Sequence, residues 1–384
     1  MRILTSRTFL CCFWIACVAA GCKKKDDTSS PSGPSYSVPT YYNGFSNVDH
    51  TESTTILGML SELSTEIAKG TGSTGATVPV PLDGDHLLHL LKNTGNEFVT
   101  NASYNTSGLQ IESNCLPAYQ SVAESILDSL VSVSNSPNTA SSGVAGVGIT
   151  KDASPKRFLL TKNGVNYSQI LNKTAMCALI YYQIATRLAN SSNLDNSILI
   201  KSPSDTTKKY TAMEHNWDVA FGYWSVPDSF PTVSKPVKFW GSYSNQVDKG
   251  LGNNQIVMNA FVKGRAAISN KDMAAMEAQA NIIISEFDVM TAGAVVQELN
   301  EIQTAYDAQD AVKTVSALSE CLGFVTSMKF NTFYANRKIT DAQINTLLGY
   351  FPTNLWEAQQ SDFDTIRAYI CQVYGFTAQQ STDL

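Results

Sequence analysis

Apolar residues recur at intervals of three and four along most of the chain, the pattern of helices that bury one face. In "TILGMLSELSTEIAK", Thr55 to Lys69, one stripe collects Ile56, Leu57, Leu60, Leu63 and Ile67, and Gly70 ends it. The same spacing predicts helices over 116–133, 167–188, 255–268, 272–291, 292–307, 308–330, 341–348 and 362–374. A further helix starts at Asp85 in "DHLLHLLKN", with Asp85 in the N-cap role. Strict alternation is brief: "TVPVP" and "RFLLTKNGVNY" predict at most one small hairpin. The pattern predicts an all-α fold, a helical bundle over 39–384, with lobes at 39–224 and 255–384. Between the lobes, 225–254 reads as a long loop carrying Phe239, Trp240 and Tyr243. A second loop, 136–152, is too poor in large side chains to belong to a core.

The first residues break this pattern. Arg2 and Arg7 precede an apolar run from Thr8 to Ala20, too short to cross a bilayer, which takes roughly 20 apolar residues. Small residues and Cys22 follow, so 1–21 reads as a secretory signal outside the fold. Ala19-Ala20-Gly21-Cys22 resembles a bacterial lipobox, in which the cysteine is lipidated and becomes the mature N-terminus. The alternative is an ordinary signal with a chance cysteine. After Cys22, the stretch through residue 38 is rich in Ser, Pro and Gly and reads as a flexible tether. A lipid anchor on a tether puts the domain at the lipid bilayer, on the periplasmic or the cell-surface face of the outer membrane. Lys25-Asp26-Asp27 resembles the acidic signal that sends some Bacteroidota lipoproteins to the outer face.

Charge narrows the partners. The chain is at −6, and loss of Arg2 and Arg7 with the signal leaves −8. A domain this acidic carries no electrostatic footprint for nucleic acid. Of the cysteines beyond Cys22, Cys115, Cys177, Cys321 and Cys371 contain no CxxC pair, which excludes a zinc ribbon. They are either two disulfides or buried thiols packed as small hydrophobes. The sequence has no GxSxG, P-loop or HExxH, and no GxGxxG between a strand and a helix.

The candidate chemistry sits in "MEHNWDVAFGYW", Met213 to Trp224. On a helix, Met213, Trp217, Ala220, Phe221 and Trp224 share one face, as core residues do, while Thr211, Glu214, His215, Asp218 and Gly222 share the other. His215 and Asp218 are three apart and Glu214 and Asp218 four apart, spacings that bring side chains together. An imidazole with two carboxylates can hold a cation. The same groups can instead form a seam that locks helices. "FVKGRAAI" offers Arg265, and "ALSECLGFV" offers Glu320; Arg265 against Asp218 or Glu320 makes a charge-assisted pair. Gly222 leaves room for something to approach the backbone. A weaker candidate is "DGDHLLHL", where His86 and His89 follow Asp83 and Asp85 without a third histidine or a Glu nearby in sequence.

The blocks "HNWDVAFGYW", "FWGSY", "FVKGRAAI" and "LSECLGFV", in that order, with "YYNGFSNVD" and "LLHLLKN" before them, resemble a family of Bacteroidota lipoproteins without an established activity. More distantly the chain is similar to the imelysin-like proteins, helical bundles at bacterial surfaces linked to iron acquisition. Their GxHxxE motif falls on Met213, His215 and Asp218, with Met for Gly and Asp for Glu. The resemblance implies a surface-anchored binding protein for iron, haem or another small-molecule or protein ligand. His215 and Asp218 would be its metal ligands, Glu214 would line the site, and Arg265 and Glu320 would stand behind them. Two other classes remain open: a metal-dependent hydrolase on the same groups, and a scaffold that docks a partner through the aromatic segment near Trp240.

Overall fold

The computed structural model describes residues 35–384; the signal and Cys22 lie outside the described residues. The predicted stripes become helices. α1 (Thr51–Lys69) buries Ile56, Leu57, Leu60, Leu63 and Ile67, as expected. α2 (Gly84–Lys92) is capped by Asp83, whose carboxylate accepts from the backbone N–H of Asp85 and His86. Asp83 is extended, as an N-cap must be, whereas Asp85 already lies in the first turn. The short α3 (Ile111–Asn114) leads to α4 (Pro117–Ser134), which places proline where a missing N–H costs nothing.

The hairpin differs from the sequence expectation. β1 (Gly146–Ile149) pairs antiparallel with β2 (Arg157–Leu160), Val147 opposite Leu159. "RFLL" is thus a strand, but its partner comes from the small-residue segment read as a loop, and "TVPVP" forms no strand. Gly148 is needed in that partner strand: an added Cβ would lie 2.5 Å from Leu160 Cδ1 and 2.9 Å from Val312 Cγ1.

α5 (Tyr167–Ala175) runs through a π-helical segment, Met176–Tyr181, into α6 (Tyr182–Ala189). The wider turn diverts carbonyls from their usual helical partners. Met176 O accepts from the Trp240 indole N–H at 2.7 Å, and Ala178 O from Leu116 N at 2.7 Å. A two-residue pair, β3 (Ile200–Lys201) and β4 (Lys209–Tyr210), precedes α7 (Ala212–Tyr223). The second part of the predicted inter-lobe loop is a helix, α8 (Phe239–Leu251, 13 residues), which buries Trp240 completely, while 225–238 is irregular. Trp240 and Tyr243 turn into the core from its first turn, and Phe239 beside them is half-buried, so these residues are no exposed docking loop.

α9 (Asn253–Ser269) and α10 (Met273–Asp307) follow. α10 is one helix of 35 residues where two were expected, and spans about 50 Å. No breaker stands at Thr291-Ala292, and from Met290 to Leu299 it is buried on every side. Such a helix belongs at the centre, and α6, α8, α9, α11 (Ala311–Ser327) and α13 (Gln360–Tyr374) pack around it, with α12 (Asp341–Leu348) and α14 (Ala378–Asp383) at the periphery. Since α6 lies against α10 and α7 against α9, residues assigned to separate lobes share one core, and Val38–Leu384 forms one unit. Cys115, Cys177 and Cys321 are buried free thiols and Cys371 is a half-buried one. Among the described residues no helix is long and apolar enough to cross a membrane.

Halfway along α10, Asp288 is 3 % exposed. It accepts from Asn331 Nδ2 at 3.0 Å and from Lys338 N at 2.9 Å, tying α10 to the chain after α11. Burial outweighs these bonds and raises its carboxyl from 3.8 to about 6. Between those values the folded chain holds a proton that the unfolded chain has released, so stability must rise as pH falls through this window. The ionised form costs the fold on the order of 3 kcal/mol. Urea melts of wild type and Asp288→Asn from neutral pH to pH 4 are expected to diverge: wild type gains stability relative to the variant on acidification. Parallel curves would show that Asp288 does not titrate in this window.

Candidate functional site

α7 begins with a capping box: Thr211 Oγ1 accepts from Glu214 N, and Glu214 Oε2 accepts from Thr211 N at 3.0 Å. That bond leaves Glu214 Oε1 aimed at α9, where Arg265 Nη1 donates to it at 2.6 Å and Ser269 Oγ at 2.7 Å. One turn further along α7, Asp218 Oδ1 accepts from Arg265 Nε at 2.8 Å and from the Tyr42 hydroxyl at 2.6 Å. Arg265 Nη2 donates to Asn47 Oδ1 at 3.0 Å, and the guanidinium lies 5.2 Å from the centre of the Phe45 ring. Arg265 and Asp218 are fully buried and Glu214 is nearly so. Burial drives the Asp218 carboxyl up against the pull of Arg265, and its Oδ2 meets no donor. At Glu214 burial acts the same way, but Arg265, the Thr211 N–H and Ser269 outweigh it and hold the carboxyl low.

The structure therefore joins Glu214, Asp218 and Arg265, and does not join His215 or Glu320 to them. The His215 ring stacks on Tyr210, with centroids 4.5 Å apart and planes within 7°, and its Nδ1 lies 3.1 Å from Asp49 O. His215 and Asp218 share a helix face but address different neighbours, so they do not fit a common iron or haem ligand set. Among the described residues no group of three or more His, Cys, Asp or Glu side chains is placed to hold a metal ion. The space beside Gly222 is taken by the chain itself: an added Cβ would lie 2.1 Å from Ser53 Oγ and 2.6 Å from His50 Cβ. Gly264 likewise admits the Trp217 ring, 2.0 Å from where its Cβ would be.

Sequence reasoning missed Tyr42, Phe45, Asn47 and Asp49, the partners of the seam. All come from "YYNGFSNVD", whose density of aromatic and amide side chains right after the tether was the available signal. Asp49 clamps this segment. Burial raises its carboxyl, but hydrogen bonds from Ser202, Ser204 and Thr51 outweigh that and pull it far below the usual range.

Glu320 belongs to a second polar cluster. Its Oε2 lies 2.9 Å from Lys173 Nζ on α5 and 3.3 Å from the Tyr243 hydroxyl oxygen of α8. The same hydroxyl donates to Glu298 Oε1 of α10 at 2.6 Å. Glu298 is 1 % exposed, and burial, then the nearby Glu320 charge, push its carboxyl well up. Lys173 and Glu298 were legible only as charges inside apolar helical runs. At α2, His86 and His89 do meet acidic groups, though distant ones. His89 Nδ1 is 2.5 Å from Glu97 Oε1, while His86 bonds Glu97 through Nδ1 and faces Glu66 at 3.6 Å through Nε2. Because His86 uses its two nitrogens on opposite partners, this is a hydrogen-bonded chain and not a convergent centre.

Asp218→Ala would leave Arg265 Nε and the Tyr42 hydroxyl without their acceptor in the core, and breaking a buried pair costs roughly 3–5 kcal/mol. His215→Ala loses one hydrogen bond and a stacked ring, on the order of 1–2 kcal/mol. Chemical denaturation of both variants is expected to show this order; an Asp218→Ala domain as stable as wild type would remove the seam from its structural role.

A family model described as a domain of unknown function, DUF4856, matches residues 36–377. No curated protein and no solved structure gives a significant match. The matched span takes in the Tyr42 segment, the seam and the Lys173 cluster together, and the chain belongs to the DUF4856 family.

Proposed function

We propose that the chain is a membrane-anchored surface lipoprotein whose helical domain binds a ligand without catalysing a reaction. The observation that carries the non-catalytic part is the closure of the "HNWD" seam. Arg265 is answered by Asp218, Glu214, Asn47 and Ser269, all from the chain itself, so the groups a hydrolase would use are committed to holding α7, α9 and the N-terminal segment together. The anchoring part is supported by the Ala19-Ala20-Gly21-Cys22 sequence and the polar tether, with Lys25-Asp26-Asp27 favouring the outer face of the outer membrane. The imelysin-like resemblance supports a binding role. Its iron or haem would need a ligand set other than His215 with Asp218. The scaffold alternative loses its aromatic docking loop, because Trp240 is buried and bonded to Met176 O.

Two measurements test this reading. Cys22→Ala is expected to move the protein from the membrane to the soluble fraction, since the multiple acyl chains of a lipoprotein anchor firmly and one chain only marginally. A Cys22→Ala protein that stays in the membrane fraction after signal removal contradicts the lipid anchor. Thermal melting of the wild type is expected not to shift with iron, zinc or haemin. A stabilising shift that His215→Ala abolishes would restore the metal reading, by the linkage between binding and stability.

A further inference from the structure

Above the Lys173 cluster a cleft of ≈ 390 Å³ opens between α1, α5 and the start of α8. Its volume is in the range of small-molecule sites, roughly 300–1,000 Å³. Its walls carry Ser61 and Ser64 from α1, Asn172 and Lys173 from α5, and Lys238, Phe239 and Ser242 around the α8 start. No carboxylate lines it, although the chain as a whole is acidic. The two charges it presents are both ammonium groups.

Lys173 is the unusual one. It is 9 % exposed, and an ammonium has three N–H donors. Glu320 answers one, at 2.9 Å. The ring faces of Tyr243 and Phe324 lie 4.9 and 5.7 Å from Nζ and hold the charge in place without accepting a full hydrogen bond. Donor capacity is therefore left over on a desolvated cation at the wall of a cleft, the situation in which a charged acceptor binds best. Lys238, at the α8 start, lines the same cleft with its Nζ 3.4 Å from Ser61 Oγ, and no side chain caps that helix end. Phe239 sits at φ 46, a backbone conformation that a bulky residue adopts only when its surroundings impose it, and such residues cluster at ligand sites. The π-helical Met176 also lines the cleft, and π segments are frequent at functional sites.

We propose that this cleft binds a small hydroxylated carboxylate, of the sugar-acid class. The carboxylate sits between Lys173 and Lys238. The Ser61 and Ser64 oxygens, whose protons go to Leu57 O and to Leu60 O or Asn172 Oδ1, accept from the hydroxyl groups, the Asn172 amide N–H and Ser242 donate to them, and Phe239 with Met176 covers an apolar ring face. This deepens the binding-protein reading above and rests on it.

The test is calorimetric titration of the full chain, in detergent, with glucuronate, glucose and inorganic phosphate at millimolar concentrations. Glucuronate is expected to bind, more weakly as salt rises, and glucose not to. Lys238→Ala, an exposed change that leaves the fold intact by circular dichroism, is expected to weaken binding by about tenfold, the effect of one charged hydrogen bond. Lys173→Met is expected to abolish it, and Lys238→Glu keeps the test open should the Lys173 variant unfold: it must weaken binding more than Lys238→Ala does. No glucuronate binding, or binding that Lys238→Ala and Lys238→Glu leave unchanged, overturns the proposal. Phosphate binding without glucuronate overturns the sugar-acid class. Glucose binding as tight as glucuronate overturns the role of the lysines while leaving a binding protein standing.

Discussion

A guanidinium cannot shed its proton inside a protein, so a buried arginine obliges the fold to deliver acceptors around it. Arg265 is fully buried, and its needs organise three separated parts of the chain. α7 supplies two carboxylates one turn apart, α9 supplies the arginine and Ser269, and the segment just after the tether supplies Asn47 and, through Asp218, Tyr42. Aromatic packing follows the same geometry. Tyr42 stacks on Phe221 at 3.7 Å, and Phe221 and Trp224 pack on Phe261. An apolar replacement of similar shape could match the stability of such a network, since desolvation offsets much of its attraction. What the network adds is register: sliding α7 along α9 by one turn would leave a charge without its partner.

Much of the fold was legible because burial imposes a 3.6-residue period on helices, and α1, α12 and α13 follow that period closely. The errors have physical causes. α10 was divided because period reasoning needs a polar face, and between Met290 and Leu299 it has none. α8 is hidden in the sequence because glycines and prolines interrupt 225–254, although Phe239, Trp240 and Tyr243 have helical spacing. β1 was missed because glycine depresses strand propensity, yet the close approach of Leu160 demands it at Gly148.

The candidate site was half legible for a different reason. Spacing along one helix shows which side chains share a face, and Glu214, His215 and Asp218 do. It does not show what the facing element offers. Arg265 could be named because a charge in an apolar helix needs a partner, but Glu320 met the same criterion and found Lys173 instead. The partners from "YYNGFSNVD" lie more than 160 residues away from α7, with no periodicity of their own to betray them.

The two polar clusters differ in what they leave unanswered, and that difference bears on function. In the Arg265 seam the cation is surrounded by acceptors, and the atom without a partner is an acceptor, Asp218 Oδ2, in a fully buried residue where no ligand reaches it. The Lys173 cluster also leaves a buried acceptor unanswered, Glu298 Oε2, but its ammonium keeps spare donors at the wall of a cleft. Glu298 and Glu320 crowd one another beneath it, so burial and mutual repulsion favour a proton on Glu298, which reduces the negative charge facing the ammonium. A lysine so placed keeps attraction for an incoming anion that a full complement of carboxylates would have cancelled. The seam thus fixes the bundle, and the cleft is where the fold retains charge that its own side chains do not satisfy.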